Sequence, residues 1–117
     1  MPKLYGIKNC DTVKKARAWL GERRIDVRFH DFKTDGITAA HLERWANTIG
    51  WETLLNRKGT TWRALPDGEK ARITDAASAT RLMLEKPAVI KRPLLELGDA
   101  VHVGFSPEAY NALFASV

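Results

Sequence analysis

The chain has 117 residues, of which 44% are hydrophobic, and this length and composition suit one compact domain with its own core. Four Trp, four Phe and two Tyr exclude a disordered tail. The formal net charge of +5 comes from basic residues spread along the sequence. This charge suits an anionic small ligand or a weakly acidic partner, and it does not indicate direct nucleic-acid binding. The alternative is that it reflects only a mildly basic surface. We therefore predict a single domain over residues 1–117.

The sequence lacks membrane and secretion signals. No apolar run approaches the ~20 residues of a membrane span, and "MPKLYGIKNC" has no long apolar segment of a signal peptide. We expect a cytoplasmic protein without membrane contact. Its one cysteine, Cys10, cannot form an internal disulfide, so any thiol chemistry needs a second thiol from outside the chain.

The first third of the chain predicts a strand, a helix and a second strand. The run "KLYGI" (residues 3–7) is apolar and ends in loop residues, which is typical of a buried strand. Helical spacing of apolar residues begins at Asp11, and Gly21 offers a stop. The alternating run "VRFHDF" (residues 27–32) predicts the second strand.

The middle of the chain predicts helices. Thr38 is a candidate N-cap, because Ile37 and Leu42 occupy the two positions of a hydrophobic staple, and Gly50 follows the last apolar residue of that helix.

Residues 51–87 follow, and they predict a basic, Thr-rich loop and then one or two short helices. Pro66 and Asp67 would open the first of these helices, Thr74 would cap the second, and Pro87 would end it.

The last third predicts a β-hairpin and a helix. The runs "LLEL" and "AVHV" are joined by residues 98–99, a connection of hairpin length. Ser106 then reads as an N-cap with Pro107 as the first helical residue, and Phe105 and Tyr110 form a second staple.

This element order, β-α-β-α-α-β-β-α, predicts an α/β fold. A right-handed β-α-β crossover makes two strands parallel, and the hairpin adds antiparallel strands, so the four-stranded sheet is mixed. The order is that of a thioredoxin-like fold with an inserted helical region at about residues 38–86.

The lone thiol lies where the first strand gives way to the first helix. A cysteine there meets unpaired backbone N–H groups, such as those of Thr12 and Val13, and the positive end of the helix dipole. Both favour the thiolate. Nearby positive charge comes from three lysines: Lys8, Lys14 and Lys15. The alternative is that Cys10 is an inert, buried filler, as many free cysteines are.

A second cysteine three residues on would make a redox pair, but Val13 occupies that position. A self-contained dithiol oxidoreductase is therefore excluded. A reactive Cys10 would need glutathione or another external thiol to resolve its intermediate.

Four motifs, "LYGIKNCDTVKKARAWL", "LLNRKGTTWR", "KRPLLELG" and "VGFSPEAY", resemble the arsenate reductase (ArsC)-like family. The resemblance is nearest to its YffB branch and to the related Spx regulators, and it extends from Leu4 to about Tyr110. It implies a thioredoxin-like fold with Cys10 as nucleophile and Arg92 as the residue that binds the anionic substrate. It also implies that Pro93 is cis and faces the thiol loop.

The resemblance further implies one more anion-binding residue, for which Arg57 and Lys58 are both candidates; a solvated loop surface is the alternative for each. The catalytic candidates are Cys10 and Arg92. The candidate substrate-binding residues are Lys8, Asn9, Thr12, Arg57, Lys58, Thr60, Thr61 and Pro93.

We predict a monomeric, glutathione-dependent thiol reductase with glutathione as co-substrate and no tightly bound cofactor. No metal site is expected, because the three histidines, His30, His41 and His102, lack ligand spacing. The first alternative is an Spx-like adaptor that binds RNA polymerase through the basic face of the first helix. This face comprises Lys14, Lys15, Arg17 and Arg24. Arsenate reduction ranks third, because arsenate-reducing relatives carry a further arginine near the carboxyl end and this chain has none after Arg92.

Overall fold

Four short strands form one mixed sheet in the order β2-β1-β3-β4. The strands are β1 (Lys3–Gly6), β2 (Arg28–Asp31), β3 (Leu94–Leu97) and β4 (Ala100–Val103). β1 pairs parallel with β2 and antiparallel with β3, and β3 pairs antiparallel with β4. The predicted mixed four-stranded sheet is confirmed.

The computed structural model describes residues 1–115, and it divides the chain into two units. The first unit combines Met1–Asp31 with the residues from Arg92 onward and contains the whole sheet. The second unit, Phe32–Lys91, takes up the segment in which the sequence predicts a helical insertion. The α-helices of the described residues are α1 (Asp11–Glu22), α2 (Ala39–Ile49), α3 (Trp51–Leu54), α4 (Thr60–Arg63), α5 (Asp67–Ala71), α6 (Ala76–Glu85) and α7 (Pro107–Ala115).

The core of the first unit lies between the sheet and the helices α1 and α7. Trp19 of α1 meets Tyr110 of α7 edge to face, with ring centroids 5.5 Å apart. Leu4 of β1 and Leu95 of β3 are paired across the sheet and are buried in the same cluster. Burial of these large apolar side chains is the main force that holds the helices on the sheet.

The hairpin and the last helix form as the sequence predicts. Leu97 pairs with Ala100, and Gly98 between them has the positive φ of 61° that a tight connection requires. Ser106 Oγ accepts a hydrogen bond from the Ala109 N–H at 3.1 Å, so Ser106 caps α7. The staple is also present, because the rings of Phe105 and Tyr110 lie 4.7 Å apart.

The end of α1 differs from the prediction, because the helix continues through Gly21 to Glu22. The chain then turns at Arg24, whose φ of 54° is left-handed. The Arg24 N–H donates to the Gly21 carbonyl and the Ile25 N–H to the Leu20 carbonyl. This is a Schellman ending with arginine where glycine is usual, which is why the glycine signal placed the stop too early.

The predicted start and end of α2 are both confirmed. Thr38 Oγ1 accepts a hydrogen bond from the His41 N–H at 3.2 Å, and His41 Nδ1 accepts one from the Thr38 N–H at 3.3 Å. This reciprocal pair is a capping box in which histidine takes the usual place of Glu or Gln. Gly50, with a φ of 85°, ends the helix.

The segment 51–87 contains more helix than the sequence predicts. The predicted loop before Pro66 includes α3 and α4, each a single helical turn. Pro66 and Asp67 do open α5. The cap of α6 is Asp75 and the prediction of Thr74 is wrong, because Asp75 Oδ1 accepts the Ser78 N–H at 2.8 Å.

The end of α6 agrees with the prediction that Pro87 ends this helix, because Lys86 is its C-cap. The helix ends at Glu85, and Pro87 opens a short 3-10 helix, Pro87–Val89. Within the second unit, Leu55 and Ile90 form an isolated antiparallel bridge. No helix among residues 1–115 has the length and apolar character needed to cross a membrane.

Candidate active site

The turn between β1 and α1 carries the thiol. Cys10 is the N-cap residue of α1, with extended backbone angles of φ −80° and ψ 124°. Its N–H donates to the Ile7 carbonyl at 3.1 Å, and its own carbonyl accepts the Lys14 N–H at 3.0 Å. The side chain therefore starts from the last residue before the helix, where the backbone donors of the first turn are unpaired.

Gly6 allows this turn to lie close to the helix. A Cβ at Gly6 would lie 2.7 Å from Val13 Cγ2, closer than carbon atoms approach in proteins. Glycine at the end of β1 thus brings the strand against the first turn of α1. The position of Cys10 is set by this packing as well as by hydrogen bonds.

The pKa of the Cys10 thiol is lowered, although partial burial alone would raise it. The Val13 backbone N–H is the largest lowering influence, followed by the donor groups and the positive charge of the Arg92 side chain. The Thr12 N–H is a smaller lowering influence. By hydrogen-bond geometry, the Cys10 side chain has no capping bond to the first turn of α1, so the N–H groups act as nearby positive dipoles. Each of these groups stabilises the thiolate more than the thiol. Cys10 is half-buried, so its sulfur is not sealed in the core.

Arg92 reaches the thiol from the residue pair that precedes β3. The Arg92–Pro93 peptide bond is cis, as the family resemblance implies. The Pro93 carbonyl accepts the Gly104 N–H at 2.9 Å, which ties this pair to the end of β4. The sheet thereby brings Cys10 and Arg92 together from opposite ends of the chain. That Pro93 faces the thiol loop stays a prediction.

The other predicted residues beside the thiol differ in their environment. Thr12 is half-buried and its N–H is part of the site. The side chains of Lys8 and Asn9 are exposed. Among the described residues, Arg92 supplies the positive charge that lowers the thiol pKa. A contribution from Lys8, Lys14 and Lys15 stays a prediction.

Four predicted residues, Arg57, Lys58, Thr60 and Thr61, lie in the second unit. The Arg57 guanidinium stands 5.7 Å from the ring centre of Trp51 and 5.8 Å from that of Trp62, within the range of cation–π attraction. Asn56 Oδ1 accepts the Lys58 N–H at 3.2 Å and shapes the turn that leads into α4.

Thr60 and Thr61, at the start of α4, line a surface cleft of about 480 Å³. These four residues are neighbours in the sequence, and they all lie in one short segment of the second unit.

The three histidines have structural environments. His41 takes part in the cap of α2 and stacks on Trp45 at 5.5 Å. The His30 ring lies 4.9 Å from that of Tyr5, and burial lowers the pKa of His102. Within residues 1–115, no group of three or more His, Cys, Asp or Glu side chains is arranged to hold a metal ion.

Asp31 is a residue near the thiol turn that the sequence did not single out. Its side chain is buried, and its Oδ2 accepts a hydrogen bond from the Lys8 N–H at 3.3 Å. The available signal was an acidic residue on the same face of the predicted β2 strand as two apolar residues, Val27 and Phe29. A charged side chain on the buried face of a strand is uncommon unless it has a partner.

Comparison with known proteins agrees with the fold described above. The family model for the ArsC family matches residues 5–113. The chain belongs to the ArsC family. Its solved relatives share the thioredoxin-like fold that the element order predicts.

Two relatives with solved structures are about half identical to this ArsC-family chain. A protein named YffB is 53% identical, with a TM-score of 0.91, and the match covers 97% of this chain and 98% of that one. A protein from Brucella melitensis described as related to arsenate reductase is 51% identical, with a TM-score of 0.78 and coverage of 97% and 93%.

Curated relatives include an uncharacterised protein and global transcriptional regulators. The uncharacterised protein, from Haemophilus influenzae, is 39% identical over 98% of this chain and 100% of its own length. The global transcriptional regulator Spx of Streptococcus pyogenes is 23% identical over 98% of this chain and 86% of its own length.

Proposed function

We propose that this ArsC-family protein is a glutathione-dependent thiol–disulfide oxidoreductase that uses Cys10 as its nucleophile. The observation that carries the proposal is the environment of the thiol: a half-buried N-cap position with backbone donors and the Arg92 guanidinium, which together lower its pKa. A thiolate at neutral pH is the reactive form in thiol exchange. The fold supports the proposal, since the family is built around a thioredoxin-like sheet.

The reaction consists of two exchanges. The Cys10 thiolate attacks the glutathione sulfur of a mixed disulfide, the old S–S bond breaks, and the substrate leaves as a thiolate that takes a proton from water. A second glutathione thiolate then attacks the glutathione sulfur on Cys10. Oxidised glutathione leaves and the Cys10 thiolate returns, so one mixed disulfide is reduced at the expense of one free glutathione, and the glutathionyl group of the substrate leaves as the other half of the oxidised glutathione.

Arg92 has two roles in this proposal. Its guanidinium carries five N–H donors, so it can stabilise the sulfur and also bind a carboxylate of glutathione. Once the mixed disulfide forms, the Cys10 sulfur is neutral and no longer attracts the guanidinium. The same donors are then available to the bound glutathione.

Steady-state kinetics of alanine variants would decide whether Arg57 or Lys58 is the further anion-binding residue. Replacing the one that binds a glutathione carboxylate raises KM for glutathione with little change in kcat. We expect this for R57A or for K58A but not for both.

The decisive assay measures glutathione-dependent release of a peptide from a peptide–glutathione mixed disulfide. We expect Cys10→Ser to lose activity and Arg92→Ala to lower kcat/KM by about tenfold, since one such charge-assisted contact corresponds to ~1.4 kcal/mol or more. Arg28→Ala, which removes an exposed arginine on β2, is the matched control and keeps wild-type activity. Full activity in Cys10→Ser would exclude the mechanism.

A second candidate is an Spx-like adaptor, which the similarity to Spx regulators and the exposed basic residues Lys14, Lys15 and Arg17 of α1 favour. Arg24 was predicted to belong to this face, but it lies beyond the end of α1 at Glu22. Its partner would be RNA polymerase. Retention of polymerase subunits from a bacterial lysate by both wild type and Cys10→Ser, with no thiol activity in either, would replace the enzymatic proposal. Arsenate is the third candidate, and we expect slower glutathione-dependent turnover with arsenate than with the mixed disulfide.

A further inference from the structure

Asp31 places a carboxylate in the core directly beside the turn that carries the thiol. It is the last residue of β2, it is only 4% exposed, and it pairs with Gly6 at the end of β1. The carboxylate therefore lies where the chain leaves the sheet toward Cys10. A carboxyl group at such a buried position needs hydrogen-bond partners to offset the loss of water.

One of these hydrogen bonds joins Asp31 to the thiol turn itself. Asp31 Oδ2 accepts the Lys8 N–H at 3.3 Å. Lys8 lies two residues before Cys10, and the intervening residue, Asn9, is exposed. The distance of 3.3 Å is long for an N–H···O hydrogen bond, but the acceptor is a buried carboxyl group on the neighbouring strand, so the contact links the turn to β2.

Three contacts hold the part of the turn that precedes the helix. The Asp31 carboxylate binds the Lys8 amide, the Cys10 N–H donates to the Ile7 carbonyl at 3.1 Å, and Gly6 lets β1 pack against Val13. Only the first of these contacts depends on a side chain that reaches in from a neighbouring strand. Loss of that carboxylate would remove the contact between the turn and β2.

We propose that Asp31 is a positioning residue for the nucleophile: it holds the Lys8 amide and so aims the Cys10 sulfur at the first-turn N–H groups of α1 and at Arg92. The inference rests on the proposed role of Cys10 as nucleophile. It assigns Asp31 an indirect role, since Asp31 acts through the Lys8 amide of the turn.

The role depends on the acceptor oxygen and not on the negative charge. A second negative charge near a thiolate would disfavour ionisation, so a charge effect of Asp31 would raise the Cys10 pKa, against the direction set by Val13 and Arg92. Asn has the same shape and retains a carbonyl oxygen that can accept the Lys8 N–H, whereas Ala has none. The two substitutions therefore predict opposite results.

The test measures the rate of Cys10 alkylation by iodoacetamide as a function of pH in full-length wild type, Asp31→Asn and Asp31→Ala. We expect the midpoint of Asp31→Asn to equal that of wild type or to lie below it. The midpoint of Asp31→Ala shifts upward, and its alkylation rate at neutral pH falls about threefold or more, because reactivity follows the thiolate fraction.

Two controls separate positioning from stability. Asp26→Ala removes an exposed carboxylate just before β2 and leaves the profile unchanged. Leu95→Ala destabilises the core away from the turn, so it lowers Tm without moving the alkylation midpoint of the folded protein. An Asp31→Ala midpoint equal to that of wild type, or an equal upward shift in Asp31→Asn, overturns the proposal.

Amide hydrogen exchange of the wild type provides a test that needs no variant. The Lys8 amide is expected to exchange at least tenfold more slowly than the amide of an unstructured lysine, and free exchange at Lys8 contradicts the inference. The alkylation and exchange results do not depend on glutathione. Failure of the proposed glutathione reaction therefore appears separately, as absent turnover in wild type with a normal thiol profile.

Discussion

The thiol of Cys10 is subject to opposing influences, and Arg92 contributes two of those that favour the anion. Burial acts to raise the pKa, while the Val13 amide and the Arg92 side chain lower it. Removing Arg92 therefore leaves burial opposed by backbone amides alone. The pH dependence of the Cys10 alkylation rate reports the thiol pKa, and its measurement needs no substrate.

Arg92→Ala is predicted to move the alkylation midpoint of Cys10 to higher pH. Because the lowered pKa makes the thiolate dominant above that pKa, a raised pKa removes thiolate at neutral pH and brings the profile toward that of a free cysteine, about 8.5. Arg92→Lys keeps the charge without the planar donors and gives an intermediate midpoint. An unchanged midpoint in Arg92→Ala would contradict the contact.

Tyr110 offers a residue-scale test of polar burial in the first unit. Its ring is buried in the core, and its hydroxyl finds no hydrogen-bond partner within the described residues, while burial raises its pKa. Tyr110→Phe is predicted to increase the free energy of unfolding by about 1 kcal/mol, because it removes an unsatisfied buried group.

Tyr5→Phe is the matched control for Tyr110→Phe. Tyr5 is equally buried, but its hydroxyl donates to Glu96 Oε1 at 2.9 Å. Its loss is expected to lower the free energy of unfolding by about 1 kcal/mol. Urea unfolding of both variants decides the matter, and a destabilised Tyr110→Phe would mean that the hydroxyl has a partner.

The sequence predicted the thiol, its N-cap setting and its amide donors, because these depend on residues within a few positions of each other. The contact with Arg92 came only through the family resemblance, since nothing local joins two residues so distant in the chain. Asp31 was missed for the same reason: its contact with the Lys8 amide exists only once β1 and β2 pair.

At the scale of elements, the approach of β1 to α1 depends on Gly6. A methyl group there would lie 2.7 Å from Val13 Cγ2, so Gly6→Ala is predicted to lower the free energy of unfolding by about 1–3 kcal/mol through overpacking. Val13→Ala introduced with it should recover part of that loss, because the clash is with the valine side chain.

Gly21→Ala controls for the general effect of replacing glycine. Gly21 lies inside α1, and an added Cβ there meets no atom within 4 Å. This variant is expected to gain about 0.5–1 kcal/mol from helix propensity. Thermal or urea unfolding checks both changes, and equal effects at Gly6 and Gly21 would show that the close packing is unimportant.

Helices and strands with strong local sequence signals were predicted correctly, and those with weak signals were missed. The hairpin at residues 98–99 and the staple around Ser106 were confirmed, because each is fixed by a few neighbouring residues. The helices α3 and α4 were missed, since one helical turn is too short to show a period. Thr74 and Asp75 are both good caps, and only the reciprocal bond with Ser78 selects Asp75.

At the scale of the whole molecule, the surface contains few large apolar side chains. Among the described residues, only Met1 (84%) and Leu84 (39%) are large hydrophobics that are classed as exposed. Isolated side chains of this kind do not form the apolar patch of a stable interface. We predict a single species of 13.1 kDa at micromolar concentration by light scattering, and a mass near twice that value would contradict it.

The tryptophans are divided between the two units in a way that makes them optical reporters. Trp19 is the only one of the four in the first unit, where it lies against Tyr110, and the other three belong to the second. Fluorescence of a Trp19→Phe variant therefore comes from the second unit alone, and subtracting it from the wild-type emission isolates the first. Denaturation curves recorded this way would reveal whether the thiol-bearing half melts together with its helical companion or ahead of it.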